Sequence, residues 1–223
     1  GTPTSFAFEN AVAALEGGHR TYAVPSGLAA VTVAMLAFLK TGDHVLMVDT
    51  VYGPTRKLCD GFLKKMGIET TYYLPEIGSD IAALMKPNTK VVYVEAPGSL
   101  TFEMQDIPAI AAAAHEKGAT VIMDNTWASP LYFRPFTKGV DVSVQAATKY
   151  IVGHSDAMLG TVTATKEAWP RVRDCARELG YGVGPDDLYL GQRGFRTLAV
   201  RLPQHRKTGV ELATWLKARP EVI

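Results

Sequence analysis

The sequence predicts an α/β fold in which a mostly parallel sheet is sandwiched by helices. Two observations carry that reading. Short apolar runs alternate with longer helical stretches over most of the chain, and the runs are continuous, as in strands buried on both faces. Glycine and proline punctuate the joins between them.

Six runs read as strands: Thr21–Val24, His44–Asp49, Glu69–Leu74, Lys90–Glu95, Thr120–Asp124 and Val142–Ala146. Helices are expected over Gly27–Leu39, Pro54–Met66, Ser79–Met85 and Ile107–Lys117. Pro54 and Pro108 suit first helical turns, and Gly42 and Gly118 suit the stops. Beyond Thr163 the pattern turns helical, at Lys166–Leu179, Asp187–Phe195 and Leu198–Ala218, with no clear strand. The last of these is long enough to link to a further domain.

The 223 residues are 47% hydrophobic and 20% charged, with net charge +1, which is ordinary for a soluble globular domain. Near-neutral charge gives no footprint for nucleic acid or an anionic membrane. The longest apolar run, Leu28 to Leu39, has 12 residues if Thr32 is tolerated. A membrane span needs about 20, so a buried helix fits better. Cys59 and Cys175 share no metal or redox spacing and read as reduced thiols of a cytoplasmic protein, with a single disulfide as the other reading. The chain begins at Gly1 and not at methionine, so a fragment of a longer protein is one reading.

Ligands of open α/β sheets bind outside the carboxyl ends of the strands, and four polar features fall there. Val24-Pro25-Ser26-Gly27-Leu28 carries a strand into a helix whose first amides can hold a phosphate. It reads equally as a Ser26 cap with a tight turn at Gly27. Asp124 ends a buried apolar strand, so its carboxylate needs a cation or several donors; the plainer reading is an Asp capping the next turn. Lys149 follows another apolar strand, where desolvation would favour the neutral, nucleophilic amine; a snorkelling lysine is the alternative. Tyr52 can lie flat on a planar ligand or be a loop aromatic. The adjacent His154-Ser155-Asp156 is too local for a catalytic triad. No G-x-G-x-x-G follows a strand, and no Walker motif, H-E-x-x-H or cysteine cluster is present, so no metal is expected. A phosphate cradle, a carboxylate, an amine and an aromatic plate together fit pyridoxal 5'-phosphate (PLP) and few other molecules.

At these residues the chain resembles the Cys/Met-metabolism PLP enzymes of fold type I, most specifically in Ala147-Thr148-Lys149-Tyr150 through Gly153-His154-Ser155-Asp156. The resemblance implies the large PLP-binding domain of an aspartate aminotransferase-like fold over residues 1–200. It makes 201–223 a linker helix toward a C-terminal small domain outside the chain. It implies that Gly27 and Leu28 give amides, and Thr148 its hydroxyl, to the cofactor phosphate. Tyr52 would stack on the ring and accept a proton from the incoming amine, Asp124 would pair with the ring nitrogen, and Lys149 would hold the aldehyde carbon and take the Cα proton.

Glu95-Ala96-Pro97-Gly98-Ser99-Leu100 and Trp127 look like the β-lyase branch, and Ser99 and Trp127 are expected on the substrate side. That branch implies carbon–sulfur β-elimination of cystathionine to homocysteine, pyruvate and ammonia. Its alternatives are a γ-lyase or γ-synthase, or a PLP-domain fragment without catalysis. The resemblance also implies a homotetramer with shared active sites. Two departures stand out. Ala146 occupies a position where many relatives have a serine for the phosphate, as in the β-lyase branch. The family's Tyr-x-Arg and its carboxylate-binding arginine lie outside this chain.

Overall fold

Seven strands form one sheet: β1 (Arg20–Val24), β2 (His44–Val48), β3 (Glu69–Tyr73), β4 (Thr89–Glu95), β5 (Thr120–Asp124), β6 (Val142–Gln145) and β7 (Gly160–Ala164). Their order is β1-β7-β6-β5-β4-β2-β3. The neighbours from β6 through β5, β4 and β2 to β3 pair in parallel, whereas β7 runs antiparallel to both β6 and β1. Six strands therefore point the same way, and β1, β6, β5, β4 and β2 all end along one edge. The computed structural model describes residues 1–222; Ile223, the last residue of the expected linker segment, lies outside them.

The helices are α1 (Pro3–Glu16), α2 (Gly27–Leu36), α3 (Gly53–Lys57), α4 (Ile107–Glu116), α5 (Ser129–Tyr132), α6 (Trp169–Glu178), α7 (Pro185–Phe195) and α8 (Leu198–Lys217). All five residues of β2 are buried, as are Val91 to Glu95 in β4. Consecutive burial means that both sheet faces are covered, as the unbroken apolar runs predict. A main core joins α2, α4 and α6 to the sheet. A second cluster gathers Phe8, Val12, Ala23, Ala147, Ile151, Val152, Leu159 and Leu188 beneath α1 and α7.

The mostly parallel sheet sandwiched by helices is present, with differences in detail that include the short added helix α5. The segment Pro54–Met66 is not one α-helix: α3 ends at Lys57 and Leu58–Leu63 widens to a π-helical turn. Ser79–Met85 lies in a 3-10 segment, Pro75–Leu84, kinked at Gly78 (φ 53°). Nothing in the apolar spacing announces β7, whose Thr161 and Thr163 are fully buried and whose Thr163 hydroxyl meets that of Thr21 at 2.7 Å. Helix α1 is likewise an addition, started by a Thr2–Ser5 capping box and stopped by Gly17 in the left-handed region.

Candidate active site

Where β1 ends, Ser26 turns the chain into α2. Its hydroxyl accepts the Ala29 amide at 3.1 Å and its carbonyl the Ala30 amide at 3.0 Å. The amides of Gly27 and Leu28 have no acceptor among the described residues. They stand at the positive end of a ten-residue helix, where an anion is favoured. Gly27 is required by packing: a Cβ there would lie 2.7 Å from Ala146 Cβ and 2.9 Å from Ala146 Cα. The cradle thus abuts the end of β6, three residues before Lys149. Ala146 brings no hydroxyl to it.

Two carboxylates close the middle of the edge. Glu95 and Asp124 are partners in the β4–β5 register, and both are buried. Burial raises the pKa of each. The charge of Asp124 adds to burial at Glu95, which is pushed up to about 9 although it accepts the Tyr52 amide. Asp124 Oδ1 accepts the Thr126 amide at 3.0 Å, and its Oδ2 has no donor among the described residues. The Thr126 hydroxyl in turn accepts the Ala146 amide at 2.8 Å, tying the end of β5 to that of β6. On the other side, Glu95 Oε2 accepts the amide of Tyr52 at 2.9 Å, and the Tyr52 side chain is 46% exposed. Contacts therefore run unbroken from Gly27 through Ala146, Thr126, Asp124 and Glu95 to Tyr52.

Behind this edge lies a third carboxyl. Glu16 is fully buried, and burial pushes it up to about 7. Gln145 Nε2 donates to Glu16 Oε1 at 2.8 Å and to the Asn125 carbonyl at 3.0 Å. Glu16 Oε2, Asn125 Oδ1 and Ser143 Oγ are buried without partners.

Lys149 sits in the turn after β6. Its amide donates to the Ala146 carbonyl and its carbonyl accepts the Gly153 amide, each at 2.9 Å. Ala147, Ile151 and Val152 anchor the turn in the second core cluster. The Lys149 side chain itself is exposed and has no hydrogen-bond partner among the described residues. The desolvation expected of this lysine is therefore not supplied by these residues, because it projects beyond the packed layers. Next to it, the Thr148 hydroxyl accepts the Leu159 amide at 2.9 Å and donates to the Leu159 carbonyl at 3.1 Å. That carbonyl also accepts the Thr148 amide at 2.9 Å, so both Thr148 donors are engaged there and the hydroxyl proton would have to leave it to reach an anion.

Ser99 and Trp127 lie in the loops after β4 and β5. The Ser99 amide donates to the Thr50 carbonyl at 2.8 Å. Phe102 meets Trp127 edge-on, with ring centroids 5.0 Å apart. Leu100 and Phe102 hold φ of 72° and 65°, a strained region for side-chain-bearing residues. His154 and Asp156 serve their own surroundings: His154 Nδ1 bonds the Val152 carbonyl at 2.7 Å, and Asp156 pairs with Arg193. Among the described residues, no group of three or more His, Cys, Asp or Glu side chains could hold a metal ion, and no helix is long and apolar enough to cross a membrane.

A family model described as Cys/Met metabolism PLP-dependent enzyme matches residues 1–223. The chain belongs to that family. Among Cys/Met-metabolism relatives, a provisionally named cystathionine beta-lyase of Rhizobium johnstonii is 55% identical over 222 residues, covering 100% of this chain and 56% of that protein. Cystathionine beta-lyase MetC of Escherichia coli K12 is 45% identical over 224 residues, covering 100% of this chain and 57% of that protein. The crystal structure of metB from Corynebacterium glutamicum superposes with a TM-score of 0.96 at 35% identity, over 99% of this chain and 58% of that one. The chain thus spans between half and two thirds of the length of these relatives, and it has the expected fold type I architecture.

PLP, the family's cofactor, fits the residues present. Asp124 is a buried carboxylate with a spare oxygen and no ion-pair partner among the described residues, as a protonated ring nitrogen requires. Gly27 and Leu28 offer two unspent amides for a phosphate. Three contributors lie outside the four strand-end features read from the sequence: Glu95, Thr126 and Glu16. Glu95 carries the same signal as Asp124, an acid closing a buried apolar strand.

Proposed function

We propose that the chain is the cofactor-binding domain of a PLP-dependent carbon–sulfur lyase that cleaves cystathionine by β-elimination. Residues 1–200 form the domain, and 201–223 lead toward a small C-terminal domain. Water is consumed overall, and homocysteine, pyruvate and ammonia are released. The observation that carries the reading is one sheet edge on which two free amides, a carboxylate with a spare oxygen and an unpartnered amine stand in line. The names of the Rhizobium and Escherichia relatives support the choice of substrate.

PLP, when bound, supplies an electron sink for the charge left at the substrate Cα. The chain's own residues do the rest. Gly27 and Leu28 hold the phosphate through their amides, with the Thr148 hydroxyl proton leaving the Leu159 carbonyl to turn toward it. Asp124 keeps a proton on the ring nitrogen. Glu95, neutral at pH 7, fixes the Tyr52 backbone so that the aromatic ring covers the cofactor face. Tyr52 accepts a proton from the incoming amino group. Lys149 Nζ would be the attachment point for PLP, and its amine would move the Cα proton as general base. Trp127 and Ser99 line the substrate side. The protein works in the cytoplasm as a homotetramer with shared active sites.

Product analysis with cystathionine tests the proposal. Pyruvate with homocysteine supports it. 2-Oxobutyrate with cysteine transfers the protein to the γ-elimination reading, which the likeness to metB keeps in view. No product and no visible absorbance after adding PLP would leave a domain without catalysis.

A further inference from the structure

Arg201, in the first turns of α8, uses its guanidinium on main-chain oxygens. Nη2 donates to the Tyr150 carbonyl at 2.8 Å and the Gly194 carbonyl at 2.9 Å, and Nε donates to the Thr197 hydroxyl at 2.9 Å. No carboxylate pairs with it among the described residues, and Nη1 is buried without an acceptor. Burial without a counter-ion lowers its pKa.

The same helix corner presses on the whole turn that follows Lys149. A Cβ on Gly153, held at φ 71°, would lie 2.2 Å from Arg201 Nη1, so the guanidinium rests against that backbone. A Cβ on Gly194 would lie 2.0 Å from the Val152 carbonyl oxygen and 2.6 Å from that of Ile151. The rings of Tyr150 and His205 are 6.3 Å apart. Residues 150 to 153 are thus each met by the α7–α8 corner, and Gly153 bonds back to the Lys149 carbonyl.

The Lys149 side chain has no partner of its own among the described residues, so only its backbone fixes its direction. A cation half-removed from water and left unpaired is costly, and its yield here is the shape of one turn. We infer that Arg201 is a positioning residue for Lys149, clamping the turn 149–153 so that the amine approaches its aldehyde partner from a fixed direction. The inference rests on the reading of Lys149 as the attachment point of PLP. It also ties the seating of α8 to the lysine.

The test uses parent protein and Arg201→Met, stripped of cofactor and reloaded with PLP. Three quantities are followed: the rate of appearance of the lysine-linked visible band, the pH midpoint of that band, and the melting temperature. Arg201→Met is expected to slow band formation about tenfold or more, since a displacement near 1 Å can cost up to about 10²-fold, and to move the pH midpoint. Arg201→Lys, which keeps a charged donor at the same corner, is expected to recover part of the rate. Band formation per folded molecule and a pH midpoint equal to the parent's, beside a lowered melting temperature, overturn the inference. If Arg201→Met does not fold, Thr197→Val removes the Nε acceptor at constant size; slower band formation supports the clamp and an unchanged rate overturns it. A parent protein that gives no borohydride-stable adduct at Lys149 overturns the lysine reading itself, and this inference with it.

Discussion

Glu95 and Asp124 face each other across the ends of β4 and β5, two buried carboxyls without an ion-pair partner among the described residues. Like charges at such a distance from water do not both ionise, so the pair holds a proton at pH 7. Burial raises both, and the charge of Asp124 raises Glu95 further, so Glu95 is the member of the pair that holds the proton more readily.

Glu95→Gln should therefore be nearly silent, because it replaces one neutral hydrogen-bonding group by another of the same size. Its kcat/KM for cystathionine is expected within a few-fold of the parent. Asp124→Ala should lose about 10²–10³-fold, the usual cost of removing a charge-stabilising group. Equal losses in the two variants would show that Glu95 carries charge after all.

Lys149→Ala should abolish the borohydride-stable adduct at that residue and reduce turnover by at least about 10²–10⁴-fold, the range of a positioned general base. Mass spectrometry of reduced, digested protein reads the first effect. An adduct of undiminished yield would place the attachment on another lysine.

The strand-end places of Asp124 and Lys149 were legible, because Asp124 closes an apolar run and Lys149 lies in the turn that follows one. Glu95 follows Val91 to Val94 in the same way, so its signal was present in the sequence. Glu16 and Arg201 had no such mark. Their partners lie far along the chain, 129 residues away for Gln145 and 51 for Tyr150, and only the packed fold brings them together. The same holds for β7: a Gly-Thr-Val-Thr-Ala segment has little apolar character, and strand pairing buries both threonines, Thr163 with a cross-strand hydroxyl contact to Thr21. The π-helical turn at 58–63 was hidden for another reason, since apolar spacing does not separate five-residue from four-residue winding over so short a stretch.

Glu16 makes stability depend on pH. Its folded-state pKa is raised from 4.5 to about 7, so the unfolded chain gives up its proton first as pH rises. The associated stability is complete below 4.5 and is lost as pH rises through about 7, amounting to about 3 kcal/mol. Urea midpoints between pH 5 and 8 should fall in the parent and fall less steeply in Glu16→Gln. Parallel curves would show that Glu16 is not the group responsible.

Gly27→Ala brings a methyl to 2.7 Å from Ala146 Cβ, too close for either strand end to stay in place. Overpacking of this kind costs about 1–3 kcal/mol, and the shifted amides should weaken PLP binding about tenfold. Part of the loss should return in the double variant Gly27→Ala/Ala146→Gly, which removes the contact with Ala146 Cβ and leaves only the one at 2.9 Å with its Cα. Spectral titration of apoprotein with PLP measures both; unaltered affinity in the single variant would place the phosphate elsewhere.

Strand β7 lies between β1 and β6, with Gly160 paired to Val24 and Thr161 to Gln145. The Ser26 carbonyl occupies the space that a side chain on Gly160 would fill. Two segments far apart along the chain are thus stitched together by a third that follows both in sequence. Fraying of β7 alone would therefore release the strand pairing beside both the loop that opens α2 and the turn that follows β6.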